Sequence, residues 1–176
     1  MDIEMLESMY KTYYKNVYNY IAFRINNHFD AEELASLVFE KAIGAWGRYN
    51  PAFPMEAWLM GIAKNTVTDH MRKKRRSQNI SLDEIVNFAS LGKQPCEVAV
   101  LNEQNRALMV AMSKLKEHER QILSMKFATD LKYHEIAKQM GVGESNVRVT
   151  AHRALKKLRK ILEEEGWEHE KNQIYV

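Results

Sequence analysis

The sequence predicts an all-α protein built as two small helical domains joined by a flexible linker. Three observations carry that expectation. Apolar residues recur at spacings of three and four almost throughout. The 176 residues include only 7 glycines and 3 prolines. The helical period lapses once, between Ser77 and about Asn102, where Ser81, Asp83, Ser90, Gly92 and Pro95 punctuate the chain. The expected units are residues 1–76, a linker at 77–102, residues 103–164 and a mobile tail at 165–176.

Taken in order, a first helix is expected over residues 3–27, with Leu6, Met9, Tyr10, Tyr13, Tyr14, Val17, Tyr20 and Ile21 as its apolar stripe. Asp30 followed by Glu33 reads as a capping box that starts a second helix. That helix buries Leu34, Val38 and Ala42 and runs to about Trp46. Pro51 and Pro54 bracket a loop. From Met55 a third helix turns Trp58, Ile62 and Val67 inward and ends in a basic cluster. Within the linker, Leu82, Ile85, Val86, Phe88 and Leu91 have the spacing of a short amphipathic turn.

The C-terminal unit is expected to be a helix-turn-helix. Ile136, Ala137 and Met140 share one face of a short helix. Gly141 supplies a residue tolerant of positive φ at its end, and Val142 plugs the turn. A longer helix starts near Gly143 or Glu144 with Val147, Ala151, Ala154, Leu155, Leu158 and Leu162 as its apolar stripe. Its other face carries Asn146, Arg148, Val149, His152, Arg153, Lys156 and Lys157. A helix of this kind fits the major groove, where its early side chains reach base edges and later Lys and Arg meet phosphates.

Charge points the same way through its grouping. There are 26 Lys and Arg against 23 Asp and Glu, a formal charge of +3. Yet residues 64–76 hold Lys64, Arg72, Lys73, Lys74, Arg75 and Arg76 against Asp69 alone, and residues 148–160 hold six basic residues and no acid. Two separate basic blocks suit a polyanion contacted at two places, although either alone is equally a solvated helix face. Cys96 is the single cysteine, and no Cys/His group has zinc-finger spacing, so neither a disulfide nor a metal is expected, and no cofactor. The acidic N-terminus and the lack of an apolar run near twenty residues give no signal peptide or membrane span, and the expected compartment is the cytoplasm.

Three segments now carry a resemblance. Residues 131–159, LKYHEIAKQMGVGESNVRVTAHRALKKLR, resemble the helix-turn-helix by which sigma factors read the minus-35 element. Residues 30–46, DAEELASLVFEKAIGAW, resemble the helix by which they grip the clamp of RNA polymerase. Residues 57–76, AWLMGIAKNTVTDHMRKKRR, resemble the adjoining helix that opens and reads the minus-10 element. The order and the short linker resemble the extracytoplasmic-function group, which keeps only the second and fourth sigma domains. Ser36, Lys116 and Gly143 depart from the family's frequent Gln, Pro and Ser.

The resemblance implies a non-enzymatic subunit that binds core RNA polymerase, at the β′ clamp and β flap, and directs promoter-specific initiation. Asp30, Glu33, Phe39 and Glu40 become the candidates for clamp contact, with Phe39 alternatively a core residue. Asn65, Asp69, Arg72 and Lys73 become candidates for minus-10 DNA, joined by Tyr49, Asn50 and Phe53 of the loop WGRYNPAFP, which resembles the family's base-capturing loop or else supplies core aromatics. Asn146, Arg148, Val149, His152, Arg153, Lys156 and Lys157 are the minus-35 set. An anti-sigma factor is an implied partner, and a small-molecule substrate is not expected. A stand-alone regulator would explain residues 103–164 but leaves the first basic block without a purpose. A nuclease or recombinase would need clustered carboxylates or an activated nucleophile, which the sequence lacks. A helical adaptor would show no salt-sensitive DNA affinity.

Overall fold

A computed structural model of the chain describes residues 3–25, 27–78 and 103–165. Most of the expected linker, with Cys96 and the amphipathic turn at Leu82–Leu91, and the tail from residue 166 lie outside the described residues. Those described form seven α-helices and one 3-10 turn, with no strand among them.

The N-terminal helices are α1 (Ile3–Ile25), α2 (His28–Ala45) and α3 (Met55–Gln78), with the 3-10 turn Trp46–Arg48 after α2. They pack on one another. α2 buries Ala31, Leu34, Ala35, Val38, Phe39 and Ala42, a stripe at three- and four-residue spacing that fills the space against α1 and α3. α1 contributes Met9, Val17, Tyr20 and Ile21, and α3 contributes Leu59, Met60, Ala63 and Val67.

The start of α2 corrects the expected cap. Asn27 is the N-cap, and its Oδ1 accepts the backbone N–H of Asp30 at 3.2 Å. Asp30 thus stands at the third helical position. Its carboxylate turns across to α3, 3.6 Å from both His70 Nε2 and Lys74 Nζ. Trp58 and Ile62 are only half-buried, since Leu59 and Met60 occupy the centre instead.

The C-terminal helices are α4 (Glu103–Ser113), α5 (Glu117–Ala128), α6 (Tyr133–Met140) and α7 (Glu144–Glu164). α7 packs against α4, α5 and α6 through Val147, Ala151, Ala154, Leu158 and Leu162. Two starts lack a side-chain acceptor at the cap, because Lys116 and Lys132 have none to offer. Glu119 and Glu135 satisfy the cap backbone from the third position instead, accepting from Lys116 N at 2.9 Å and Lys132 N at 2.7 Å. Gly143 caps α7 with no side-chain bond.

The two groups of helices also pack on each other. α1 lies against α4 and α5, and α3 lies against α6.

Candidate nucleic-acid interface

The turn between α6 and α7 fixes the attitude of the basic helix. Gly141 has φ 67° and ψ 32°, the left-handed conformation that ends a helix without a Cβ penalty. Its N–H donates to Lys138 O at 3.3 Å, and Val142 N–H donates to Ala137 O at 3.1 Å, the double closure of a Schellman motif. The backbone therefore holds the turn. Val142 does not plug it; its side chain is 43% exposed.

With its apolar stripe buried, α7 presents Asn146, Arg148, Val149, His152, Arg153 and Lys156 to solvent. Arg148 is held in place. Its Nε and Nη2 donate to Glu144 Oε1 at 2.9 and 2.6 Å, and its guanidinium lies 5.1 Å from the Tyr133 ring centre. Thr150 Oγ1 donates to Asn146 Oδ1 at 3.1 Å. Lys157 departs from the set, because its ammonium sits 3.3 Å from Glu119 Oε2 on α5. Burial would raise the Glu119 pKa, but the Lys116 N–H and Lys157 outweigh it and hold the carboxyl below its ordinary value. Glu144, Tyr133 and Glu119 were not among the expected site residues. The Glu144–Arg148 pair has the i,i+4 order that a helix favours, so spacing alone offered that signal.

On α3, Asn65, Asp69, Arg72 and Lys73 are exposed along one face. Asp69 lies 3.8 Å from Arg72. Asn65, Asp69 and Arg72, with Lys64 and Thr68, line a polar cleft of about 480 Å³ whose far wall is Gln121 and Met140.

The loop before α3 is organised by aromatics. Tyr49 stacks on Trp46 at 5.3 Å and packs on Trp58 at 5.0 Å, while its hydroxyl donates to Phe53 O at 2.9 Å. Asn50 Oδ1 accepts from Ala52 N at 3.0 Å, an Asx turn. Tyr49 therefore serves as the loop's anchor, and Phe53, 57% exposed, is the ring the loop presents.

On α2, Glu33 and Glu40 are exposed, whereas Phe39 is a correction. Only 4% exposed, its ring packs on Tyr10 at 4.9 Å and Tyr14 at 6.1 Å, so it belongs to the core. What reaches the surface there is an apolar groove of about 440 Å³ between α1 and α2. Leu6, Tyr10, the edge of Phe39 and Ile43 line it, with Ser36 and Glu40 at its rim.

Among the described residues no helix is long and apolar enough to cross a membrane, and no group of three or more His, Cys, Asp or Glu side chains is placed to hold a metal ion.

Residues 9–77 match the family model for sigma-70 region 2, and residues 105–158 match that for sigma-70 region 4. The ECF RNA polymerase sigma factor ShbA of Streptomyces griseus is 30% identical over 141 residues, covering 78% of this chain and 73% of that protein. BldN of Streptomyces coelicolor, also an ECF sigma factor, is 27% identical over 159 residues, 90% of this chain; the chain spans 60% of that relative's length. The fold matches that of the sigma factor RpoE from Bartonella quintana, solved in complex with the anti-sigma factor NepR. The TM-score is 0.76 at 19% identity, over 92% of this chain and 98% of that one. Two region models in the expected order, on helices that expose the two basic blocks, place this chain in the extracytoplasmic-function group of sigma-70 factors, the family that directs bacterial RNA polymerase to promoters.

Proposed function

We propose that residues 1–76 bind the β′ clamp of core polymerase and the melted minus-10 strand, and that residues 103–164 bind the minus-35 duplex and the β flap. The observation that carries this reading is the pairing of two exposed basic faces on separate helices, one following a Gly141 turn and one bordered by the Phe53 loop.

In the C-terminal unit, Arg148 arrives at a groove already oriented by Glu144 and Tyr133, so its fork is partly pre-organised for a guanine edge. Arg153, Asn146, His152 and Val149 face the same way. Lys156 meets phosphate. Lys157 is engaged with Glu119 and is a weaker candidate for that task.

In the N-terminal unit, Phe53 offers a stacking surface to an unstacked base. Asn65 can both donate and accept along a base edge, and Arg72 and Lys73 hold the backbone. Asp30 is occupied by His70 and Lys74, which leaves Glu33 and Glu40, with the neighbouring apolar groove, as the surface for the clamp. The protein is a non-catalytic subunit that works in the cytoplasm and is held in check by an anti-sigma factor. A fold shared with a sigma factor solved in an anti-sigma complex supports that last partner.

The test is binding to a labelled promoter duplex with and without sigma-free core polymerase. Promoter-specific binding that depends on core supports this reading; equally tight binding without core favours a stand-alone regulator.

A further inference from the structure

We infer that Asp30 is a positioning residue for minus-10 reading: it ties the basic end of α3 to α2, and neither Asp30 nor Lys74 meets the partner that its charge suggests. The inference rests on the sigma-factor reading above and reassigns two charges within it.

α3 is anchored unevenly. Its fully buried side chains, Leu59, Met60, Ala63, Thr66 and Val67, all lie in its first half. From Thr68 to Ser77, about 15 Å of helix at about 1.5 Å per residue, no side chain is fully buried. Met71 is the one apolar residue of that stretch, and it is half-buried. Yet the same stretch carries Asp69, Arg72 and Lys73 of the minus-10 set. Its cations stand in an unbroken row from Arg72 to Arg76, with Arg72 and Arg76 at the i,i+4 spacing where like charges repel on a helix. Packing and local charge therefore do little to hold the helix end that has to present a strand.

Two polar contacts run from α2 to α3. Lys41 Nζ donates to Thr66 Oγ1 at 3.2 Å, within the anchored half. Further along, Asp30 Oδ2 lies 3.6 Å from both His70 Nε2 and Lys74 Nζ. His70 and Lys74 are four residues apart and share a face, so one carboxylate of α2 spans a full turn of the weakly packed stretch. His70 Nε2 is buried with no hydrogen-bond partner among the described residues, and Asp30 is the charge placed beside it. Asp30 is fixed on its own helix as well. Its N–H donates to Asn27 Oδ1 at 3.2 Å, in the first turn of α2, where the helix dipole favours a carboxylate. Asp30 and His70 are each 28% exposed, which shields the tie in part from salt.

Both charges then change their task. Asp30 faces α3, whereas Glu33 and Glu40 are exposed, so Asp30 is not a clamp ligand. Lys74 belongs by sequence to the phosphate-holding block, but its ammonium is turned back to α2. Arg72 and Lys73 are left to hold the strand, and the tie sets the direction in which they leave the protein.

The test uses the complex of the full chain with core polymerase and a duplex premelted at its minus-10 element, taken from a promoter that run-off on a promoter library selects. Asp30→Asn and Lys74→Gln should each keep the helicity and the core affinity of the parent. Each should weaken binding of the premelted promoter about two- to fivefold, the range of a partly exposed ion pair. Lys74→Gln should leave the salt slope unchanged, and the double variant should bind no more weakly than Asp30→Asn alone, because the two residues act through each other. Lost core affinity in Asp30→Asn makes Asp30 a clamp ligand and overturns the inference. So does a slope reduced by about 0.7 in Lys74→Gln, the mark of one lost phosphate contact on a single strand. Tighter promoter binding in Asp30→Asn, unchanged binding in both single variants, or additive losses in the double variant overturn it too. Failure of the unmodified chain to bind core or to select any promoter overturns the sigma-factor reading instead.

Discussion

Arg24 and Glu117, 93 residues apart in sequence, meet as an ion pair in which the guanidinium is all but sealed from solvent and the carboxylate is shared with Arg120. A charge at that depth is stable only while its partners are present. Tyr20, which accepts from the same guanidinium, shows the dryness of the spot: burial pushes its phenol up to about 12 although Arg24 pulls the other way.

Arg24→Ala should therefore cost stability in the intact chain. Glu117 is 40% exposed and keeps Arg120, so no buried charge is left unpaired, and the loss is that of the donor to the buried Tyr20 hydroxyl, about 1–3 kcal/mol. Urea unfolding followed by circular dichroism measures it. A change below about 0.5 kcal/mol, the range of ordinary surface substitutions, would show that the pair does not hold the two regions together.

Two carboxylates should respond to pH in opposite senses. Burial raises Glu56 above its ordinary 4.5, with the charges of Asp130 and Glu135 adding to the push against hydrogen bonds from Asn16 and the Asp130 backbone. A raised value means that the folded state holds this proton more tightly than the unfolded chain, so Glu56 costs stability at neutral pH and the cost fades as pH falls through the raised value. Glu117 is also pushed up by burial, but Arg24 and Arg120 outweigh it and leave it lowered. Its contribution is present above 4.5 and is lost as pH falls through the lowered value. Glu56→Gln should raise the melting temperature at pH 7 and lose that advantage on acidification. Glu117→Gln should lower it at pH 7 and converge with the parent in acid. Melting curves across pH 3–8 check both signs.

Gly141→Ala places a Cβ on a residue at φ 67°. The left-handed conformation costs a non-glycine residue about 1–2 kcal/mol, and nothing lies within 4 Å of the new atom to add or relieve strain. The melting temperature should drop while helicity stays close to the parent. An unchanged midpoint would mean that the turn is not fixed by its backbone.

Arg148→Ala and Lys156→Ala should separate reading from holding. The first should relax preference at one minus-35 base pair, by about 1–3 kcal/mol of discrimination. The second should weaken all sequences alike and reduce the salt slope by about one. Competition binding of the core complex to duplexes with single base changes, repeated over a range of salt, distinguishes them. Glu144→Ala should give a milder form of the Arg148 effect, since it removes only the group that orients the fork.

The helical fold and the α7 face were legible because each depends on local pattern. Val147, Ala151, Ala154, Leu158 and Leu162 are buried as their spacing requires, and Gly141 takes the conformation that its position demands. Errors arose where two local signals competed. Asn27 and Asp30 are both good caps three residues apart, and the one whose oxygen reaches the other's N–H begins the helix. Phe39 lies at the edge of the α2 stripe, where spacing does not decide between core and partner; Tyr10 and Tyr14 on α1 decide it. Lys157 is drawn to Glu119 by an α5–α7 contact that no periodicity encodes. The same holds for Arg24, which in sequence is an ordinary basic residue at a helix end and becomes the buried link between regions only when α5 is folded against α1.

The most direct measurement is run-off transcription by sigma-free core polymerase on a promoter library, with and without the chain. Specific starts that appear only with it, share a minus-35 and a minus-10 element, and are lost when Arg148 and Arg153 are both replaced by Ala would establish that these helices direct initiation. No starts on any template, or starts unaffected by the double substitution, would contradict it.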